Sequence, residues 1–283
     1  MGDHKTWFIT GCDSGMGRVI AETALAHGET VVATGIEPAN FSALAEEYPE
    51  RAFCLKLDVT KAENIASVVA EAERLTGGIE VLMNNAGYGL LGPAEDTTPA
   101  QYRPLFEVNF FGTAEVTRAF LPFMRARRRG CIICTSSSGG YAASPGFSFY
   151  AASKFAIEGF CDALRQEVAS LGIKVIVLEP GSMRTNFAGA SMHKLPSMHD
   201  DYKDTAVALT LDRMAARDGA QPGDPRKLAA ILVNMAREPA PPFRLVLGDD
   251  AIDRLRGKVK AQAEEFERWA HLATSVSFDV EPG

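Results

Sequence analysis

The stretch TWFITGCDSGMG, residues 6–17, is a short apolar run with β-branched residues that breaks into Gly11, Gly15 and Gly17 before the helix-forming residues 18–27. Glycine at such a junction allows a tight turn, lets backbone come close to a ligand, and lets the helix pack against the strand it follows. A helix N-terminus behind the turn offers unpaired N–H groups and the positive end of its dipole to an anion such as a phosphate. Asp13, Ser14 and Met16 fill the positions between the glycines and are candidates for the same ligand. The spacing is GxxxGxG, not the GxGxxG of the common dinucleotide fingerprint, so its weight comes from its place after a first strand.

Outward from this junction, strand-like runs recur at 30–34, 52–57, 81–84, 131–135, 174–179 and 243–247. Helical segments alternate with them: Ile65, Val68, Val69, Ala72 and Leu75 form one stripe at i, i+3, i+4, i+7 and i+10. Alternation of this kind predicts an α/β fold, a doubly wound, parallel sheet of about seven strands with helices on both faces. No internal repeat or low-complexity linker divides the chain, and its 283 residues are read as a single domain, 1–283. The pattern breaks once, at 188–225, which is polar and rich in Met, His, Asp and Pro. That segment is read as a substrate lid, with a plain surface excursion as the alternative.

The composition, 46% hydrophobic and 23% charged, is that of a globular chain. No apolar run approaches the roughly 20 residues needed to span a bilayer, and Asp3, His4 and Lys5 precede the first strand without a signal peptide's apolar region. A cytoplasmic location and no membrane partner are therefore expected. A net charge of −7 argues against nucleic acid as a partner, and Arg125, Arg127, Arg128 and Arg129 close a helical pattern where cations suit the dipole. Cys131 and Cys134 form a CxxC inside a strand-like run, where residues three apart face opposite ways, so they are read as buried thiols. His193 and His199 lack the spacing of a zinc site, and no metal is expected.

Further along stand Ser136, Ser137 and Ser138, then Tyr150 and Lys154 four residues apart on a helical run to 171. Residues at that spacing share a helix face. An ammonium beside a tyrosine favours phenolate, which predicts a tyrosine pKa drawn down toward the working range.

With these residues in order, the chain resembles the short-chain dehydrogenase/reductase family over nearly its whole length. The family's TGxxxGxG motif matches residues 10–17; Asp58, followed by Val59 and Thr60, matches its adenine-side acidic position; Asn84, Asn85, Ala86 and Gly87 match its NNAG motif. Asn109 falls at its tetrad asparagine, Pro180 and Gly181 at its PG motif, and Thr185 at the position that contacts the nicotinamide carboxamide, with Met183 between them. The resemblance implies a Rossmann-type domain binding NAD(H) or NADP(H). It further implies that Ser137 polarises a substrate carbonyl, Tyr150 exchanges its proton, Lys154 lowers the tyrosine pKa and binds the nicotinamide ribose, and Asn109 holds a water leading to solvent. Ser136 or Ser138 remain alternatives to Ser137.

Ile36 and Glu37 follow the second strand, where a carboxylate suits a ribose 2′-OH and an arginine suits a 2′-phosphate. Many relatives carry arginine at the position of Ile36, so NAD(H) is favoured, with NADP(H) as the alternative. GYGLLGPAED and YAASKFAIEGF, residues 87–96 and 150–160, are most similar to the branch containing 17β-hydroxysteroid and retinol dehydrogenases and bacterial relatives. That resemblance implies a small-molecule substrate, a bulky apolar secondary alcohol or ketone, lined by Tyr88, Leu90, Leu91, Tyr141, Phe147, Phe149, Met183 and Phe187. It also implies a homodimer or homotetramer paired through helices at 99–129 and 150–171. The helical stretch 251–273 extends that interface or closes over the substrate. Two other readings stand: a cofactor-binding regulatory protein, and a family member catalysing dehydration or epimerisation.

Overall fold

The computed structural model describes residues 4–278; Asp3 and the far end of the 1–283 span lie outside them. Nine strands and nine α-helices are found among the described residues, in the order β1 (Thr6–Ile9), α1 (Gly15–Ala26), β2 (Thr30–Gly35), α2 (Ala43–Glu47), β3 (Ala52–Lys56), α3 (Ala62–Thr76), β4 (Val81–Asn84), β5 (Gly89–Leu91), α4 (Pro99–Phe106), α5 (Thr113–Arg127), β6 (Gly130–Thr135), α6 (Ser148–Val168), β7 (Ile173–Pro180), β8 (Met192–Lys194), α7 (Ala206–Arg217), α8 (Pro225–Arg237), β9 (Arg244–Leu247) and α9 (Asp249–Thr274). The main sheet is parallel with order β3-β2-β1-β4-β6-β7-β9. The seven strands read from the sequence are the seven of this sheet.

Alternation along each strand divides the core in two. Trp7 and Ile9 of β1, with Val31 and Ala33 of β2, face Ile20, Ala24, Leu228 and Leu232 of α1 and α8. Phe8, Val32 and Leu82 face Val69, Phe120, Ile157 and Cys161 of α3, α5 and α6 on the opposite side. Full burial on both faces explains why the strands read as continuous apolar runs. Cys131 packs on the first side and Cys134 on the second, and all five cysteines are free thiols. The sheet order turns back between β1 and β4. At such a switch point the loops after the two strands part and leave a crevice at their carboxyl ends.

Two segments depart from the sequence reading, and the helix read at 251–273 keeps to it. The helix expected over 99–129 is interrupted by a π-helical turn at Glu107–Gly112, with the amide of buried Asn109 turned to the backbone of Tyr88. The 188–225 stretch is not a bare loop: β8 pairs with β5 in a small two-stranded sheet, and α7 follows with no buried residue. Helix α9 is anchored only in its first two turns by buried Ala251 and Leu255, while residues 263–273 are exposed. No helix among the described residues is long and apolar enough to cross a membrane.

Candidate active site

The loops after β1, β2, β4, β6 and β7 enclose a cavity of about 710 Å³, which is within the range of cofactor and substrate sites. Its floor is the glycine turn. Gly11 and Gly15 take left-handed φ values of +74° and +60°, and a Cβ on Gly11 would come within 2.9 Å of the Ala86 Cα. Ser14 precedes α1 in extended conformation and makes no side-chain cap, so the first-turn N–H groups, including those of Gly15 and Met16, are left to whatever occupies the cavity. Gly17 departs from its expected role as a contact. It lies off the cavity wall, and a Cβ there would strike the Gly11 carbonyl and the Asn85 amide, so it serves the packing of α1 on the turn.

Around this floor the loops are tied together. Thr10 accepts hydrogen bonds at its hydroxyl from the N–H groups of Asn85 and Ala86, 3.0 Å each, and the Asn85 amide donates back to the Thr10 and Gly11 carbonyls. Asp13 lines the cavity while its carboxylate accepts the N–H groups of Ile36 at 3.1 Å and Glu37 at 2.8 Å. Ile36 is exposed, and its side chain and that of Glu37 flank the mouth. Asp58 and Val59 close this end, Asp58 accepting from the N–H and hydroxyl of Thr60 in a local turn.

At the other end, Gly87, Ser137, Tyr150, Lys154, Pro180, Gly181, Met183 and Thr185 line the same cavity. All three serines line the cavity, and Ser137 is the one that accepts the Gly139 N–H, at 3.0 Å, and reaches the Tyr150 hydroxyl. Lys154, 4% exposed, donates to the Thr135 carbonyl at 2.8 Å, with its Nζ 5.9 Å from the centre of the Tyr150 ring. Burial pushes the Tyr150 hydroxyl up to about 12 and pulls Lys154 down to about 8. The expectation of a lowered tyrosine pKa is thus reversed: desolvation outweighs the hydrogen bond from Ser137 and the positive field of Arg254. Tyr150 is a protonated donor at neutral pH.

Asn109 is fully buried behind this wall. Its amide pairs with both the N–H and the carbonyl of Tyr88 and donates to the Ser153 hydroxyl at 3.1 Å, so its side chain braces α6 and the loop after β4. Of the expected apolar lining, Tyr88, Phe147, Met183 and Phe187 reach the cavity, but Leu90, Leu91, Tyr141 and Phe149 do not. Leu90 and Phe149 pack in a cluster behind Tyr150, Leu91 is buried against the 146 turn, and Tyr141 lies beneath the Arg244 guanidinium.

Several wall residues carried no signal in the sequence. Ser144, Met214, Arg217, Gln221 and Arg254 all reach the cavity, the middle three from 188–225. Behind Lys154, buried Glu158 and Glu179 share the Arg244 Nε at 3.2 Å each. Burial raises both carboxyls, Glu179 to about 7. Among the described residues no group of three or more His, Cys, Asp or Glu is placed to hold a metal ion.

The glycine turn, the Asn-Asn-Ala-Gly loop and the Ser, Tyr and Lys side chains around one cavity match a family model for short chain dehydrogenase over residues 5–195. The chain belongs to the short-chain dehydrogenase family. It is 37% identical to Oxidoreductase BOA17 of Botryotinia fuckeliana, covering 95% of this chain and 98% of that one. It is 35% identical to a 3-ketodihydrosphingosine reductase of Bacteroides thetaiotaomicron, over 85% and 86% of the two chains. A crystal structure of a short-chain dehydrogenase from Streptomyces avermitilis superposes with a TM-score of 0.91 at 39% identity, covering 98% of this chain and all of that one.

Proposed function

We propose that this oxidoreductase moves a hydride between NAD(H) and a bulky, largely apolar ketone or secondary alcohol, with Tyr150 as the acid that protonates the carbonyl oxygen. The observation that carries the reading is the convergence of Ser137, Tyr150 and Lys154 on the cavity floored by the uncapped N-terminus of α1. That N-terminus fits a pyrophosphate, and the glycines leave room for its approach. The nicotinamide, when bound, supplies or takes the hydride. Gly11, Asp13, Ser14, Gly15 and Met16 would hold the phosphate end; Ile36, Glu37, Asp58 and Val59 the adenosine; Asn85, Ala86, Gly87, Lys154, Pro180, Gly181, Met183 and Thr185 the nicotinamide half.

The substrate oxygen lies between two hydroxyls in this reading. Ser137 donates to it and strengthens its hold as negative charge develops, while Tyr150, kept protonated by burial, delivers the proton. Lys154, its pKa drawn toward neutrality, stands one helical turn behind to steady the phenolate that results. Tyr88, Phe147 and Phe187 favour an apolar substrate body, in keeping with a relative named 3-ketodihydrosphingosine reductase. The 188–225 segment serves as the lid, since it carries Met214, Arg217 and Gln221 to the cavity while α7 buries nothing.

NAD(H) is the favoured cofactor because, among the described residues, the cavity wall at the adenosine end carries Asp13, Glu37 and Asp58 and no arginine, Arg18 being turned to Glu22 and the Asn40 carbonyl. Exposed Phe111, Phe123 and Phe155, on the π-turn, α5 and α6, support assembly as a homodimer or homotetramer, and free thiols suit the reducing cytoplasm. The test is Tyr150→Phe, assayed with NADH and NADPH against apolar ketones. Turnover falls by about 10³-fold while cofactor affinity, read by fluorescence titration, stays within about twofold; full turnover in the variant would refute the assignment.

A further inference from the structure

The cavity wall carries its acids at one end and, besides them, the cations Lys154, Arg217 and Arg254. Among the described residues, its carboxylates are Asp13, Glu37 and Asp58, all beside the ends of β2 and β3. The wall near Tyr150 has none. Instead it receives a guanidinium from α9, far along the chain: Arg254 reaches the cavity next to Ser144 and donates to the Ser144 hydroxyl at 2.6 Å. Its positive charge is close enough to act on the Tyr150 hydroxyl.

Arg254 is poorly supplied with partners for a half-buried cation. A guanidinium has five N–H donors, and among the described residues its hydrogen bond goes to a neutral hydroxyl. Adjacent Asp253 pairs with Arg256 at 3.8 Å, and Asp250, one turn earlier on α9, spends one carboxylate oxygen on the Ser182 N–H at 3.0 Å and has the other against Gly181 and Gly248. Burial pulls the Arg254 pKa below its ordinary value, with Asp250 pushing the other way. A cation in this setting costs the fold desolvation without a matching ion pair. It is also held still, since Ala251 and Leu255 on either side are buried.

We propose that Arg254 is the binding site for a carboxylate carried by the substrate, and that the substrates of this enzyme are apolar carbonyl compounds or alcohols bearing an acid group. The planar fork of arginine matches a carboxylate in two parallel hydrogen bonds, with Ser144 able to add a third donor. Tyr88, Phe147 and Phe187 then cover the apolar body between the acid and the reacting carbon. The assignment rests on the proposed reading of this cavity as the substrate site, and it narrows that reading from apolar to amphipathic.

The test uses probes that cannot exchange hydride, so it does not depend on turnover. Decanoate and decanamide are titrated calorimetrically into wild type, Arg254→Gln and Arg254→Lys, each with and without saturating NAD. Wild type is expected to bind decanoate at least about tenfold more tightly than decanamide, as for a charge-assisted pair. In Arg254→Gln the two probes should bind within about twofold of each other, and Arg254→Lys should keep part of the preference. Equal binding of the probes to wild type, binding of neither, or a preference that survives Arg254→Gln would each overturn the proposal. A preference lost in Arg254→Gln, with no ketone reduced by wild type, would leave the carboxylate site standing and remove the hydride-transfer reading instead.

Discussion

Lys154→Met should make the protein more stable while destroying its activity. The Lys154 ammonium is buried, and its pKa falls from 10.5 to about 8. At about 1.36 kcal/mol for each tenfold step in proton affinity, that costs the folded state about 3 kcal/mol at neutral pH. Methionine fills similar space without charge, but it strands the Thr135 carbonyl, which accepts from Nζ at 2.8 Å, at a cost of about 1 kcal/mol. The net gain is about 2 kcal/mol, or roughly 5 °C in Tm for a chain of this size. The pH dependence identifies the cause. The folded pKa is below the unfolded one, so between about 8 and 10.5 the unfolded chain binds a proton that the folded chain does not, and wild-type stability rises with pH across that window. The variant lacks this rise. Urea unfolding of both proteins at pH 7 and pH 10, without cofactor, measures it: the advantage of the variant should be largest at pH 7 and largely gone at pH 10. A variant less stable than wild type at pH 7, or a gap that does not change with pH, would refute the reasoning.

Ile36→Arg should move cofactor preference toward NADP by about tenfold, the worth of one charge-assisted pair, read as the ratio of kcat/KM for the two cofactors; an unchanged ratio would mean that this loop does not meet the ribose. Gly17→Ala should cost about 1–3 kcal/mol through overpacking and weaken cofactor binding, because its Cβ would strike the Gly11 carbonyl; denaturation and fluorescence titration check both. Glu179, with its carboxyl raised from 4.5 to about 7, binds a proton in the folded state that the unfolded chain has lost. Wild-type stability should therefore fall as pH rises from about 4.5 to 7, and Glu179→Gln should flatten that fall in thermal unfolding scans.

The sheet was legible because burial on both faces leaves unbroken apolar strands, and the glycine turn because few residues tolerate the backbone of Gly11 and Gly15. That Tyr150 and Lys154 share one cavity was legible in their four-residue helical spacing, while the choice of Ser137 among three lining serines rested on the family resemblance. What escaped depends on contacts that spacing does not encode. Arg254 reads as one more charge on an amphipathic helix until α9 docks beside Ser144, 110 residues away in sequence. The Tyr150 pKa was judged from its neighbour Lys154, yet burial, a property of the assembled fold, sets its direction. Gly17 looked like a contact because it belongs to a motif, but it is packing material for α1. The π-turn is invisible in the 99–129 periodicity, and so is the pairing of its Asn109 with Tyr88, which joins the helix to the loop after β4.

The Asp13 carboxylate holds the loop after β2 by its main chain alone, through the Ile36 and Glu37 N–H groups. Any residue but proline offers the same N–H. Position 36 is thus free to drift in chemical character while the path of the chain stays fixed, so on the proposed reading of this loop a change of cofactor taste is open to a single substitution without a structural intermediate. Asp13 itself has no such liberty. Its loss would slacken the frame on which every such substitution depends, so a lineage retuning its redox partner would be expected to alter 36 and 37 first and this aspartate last.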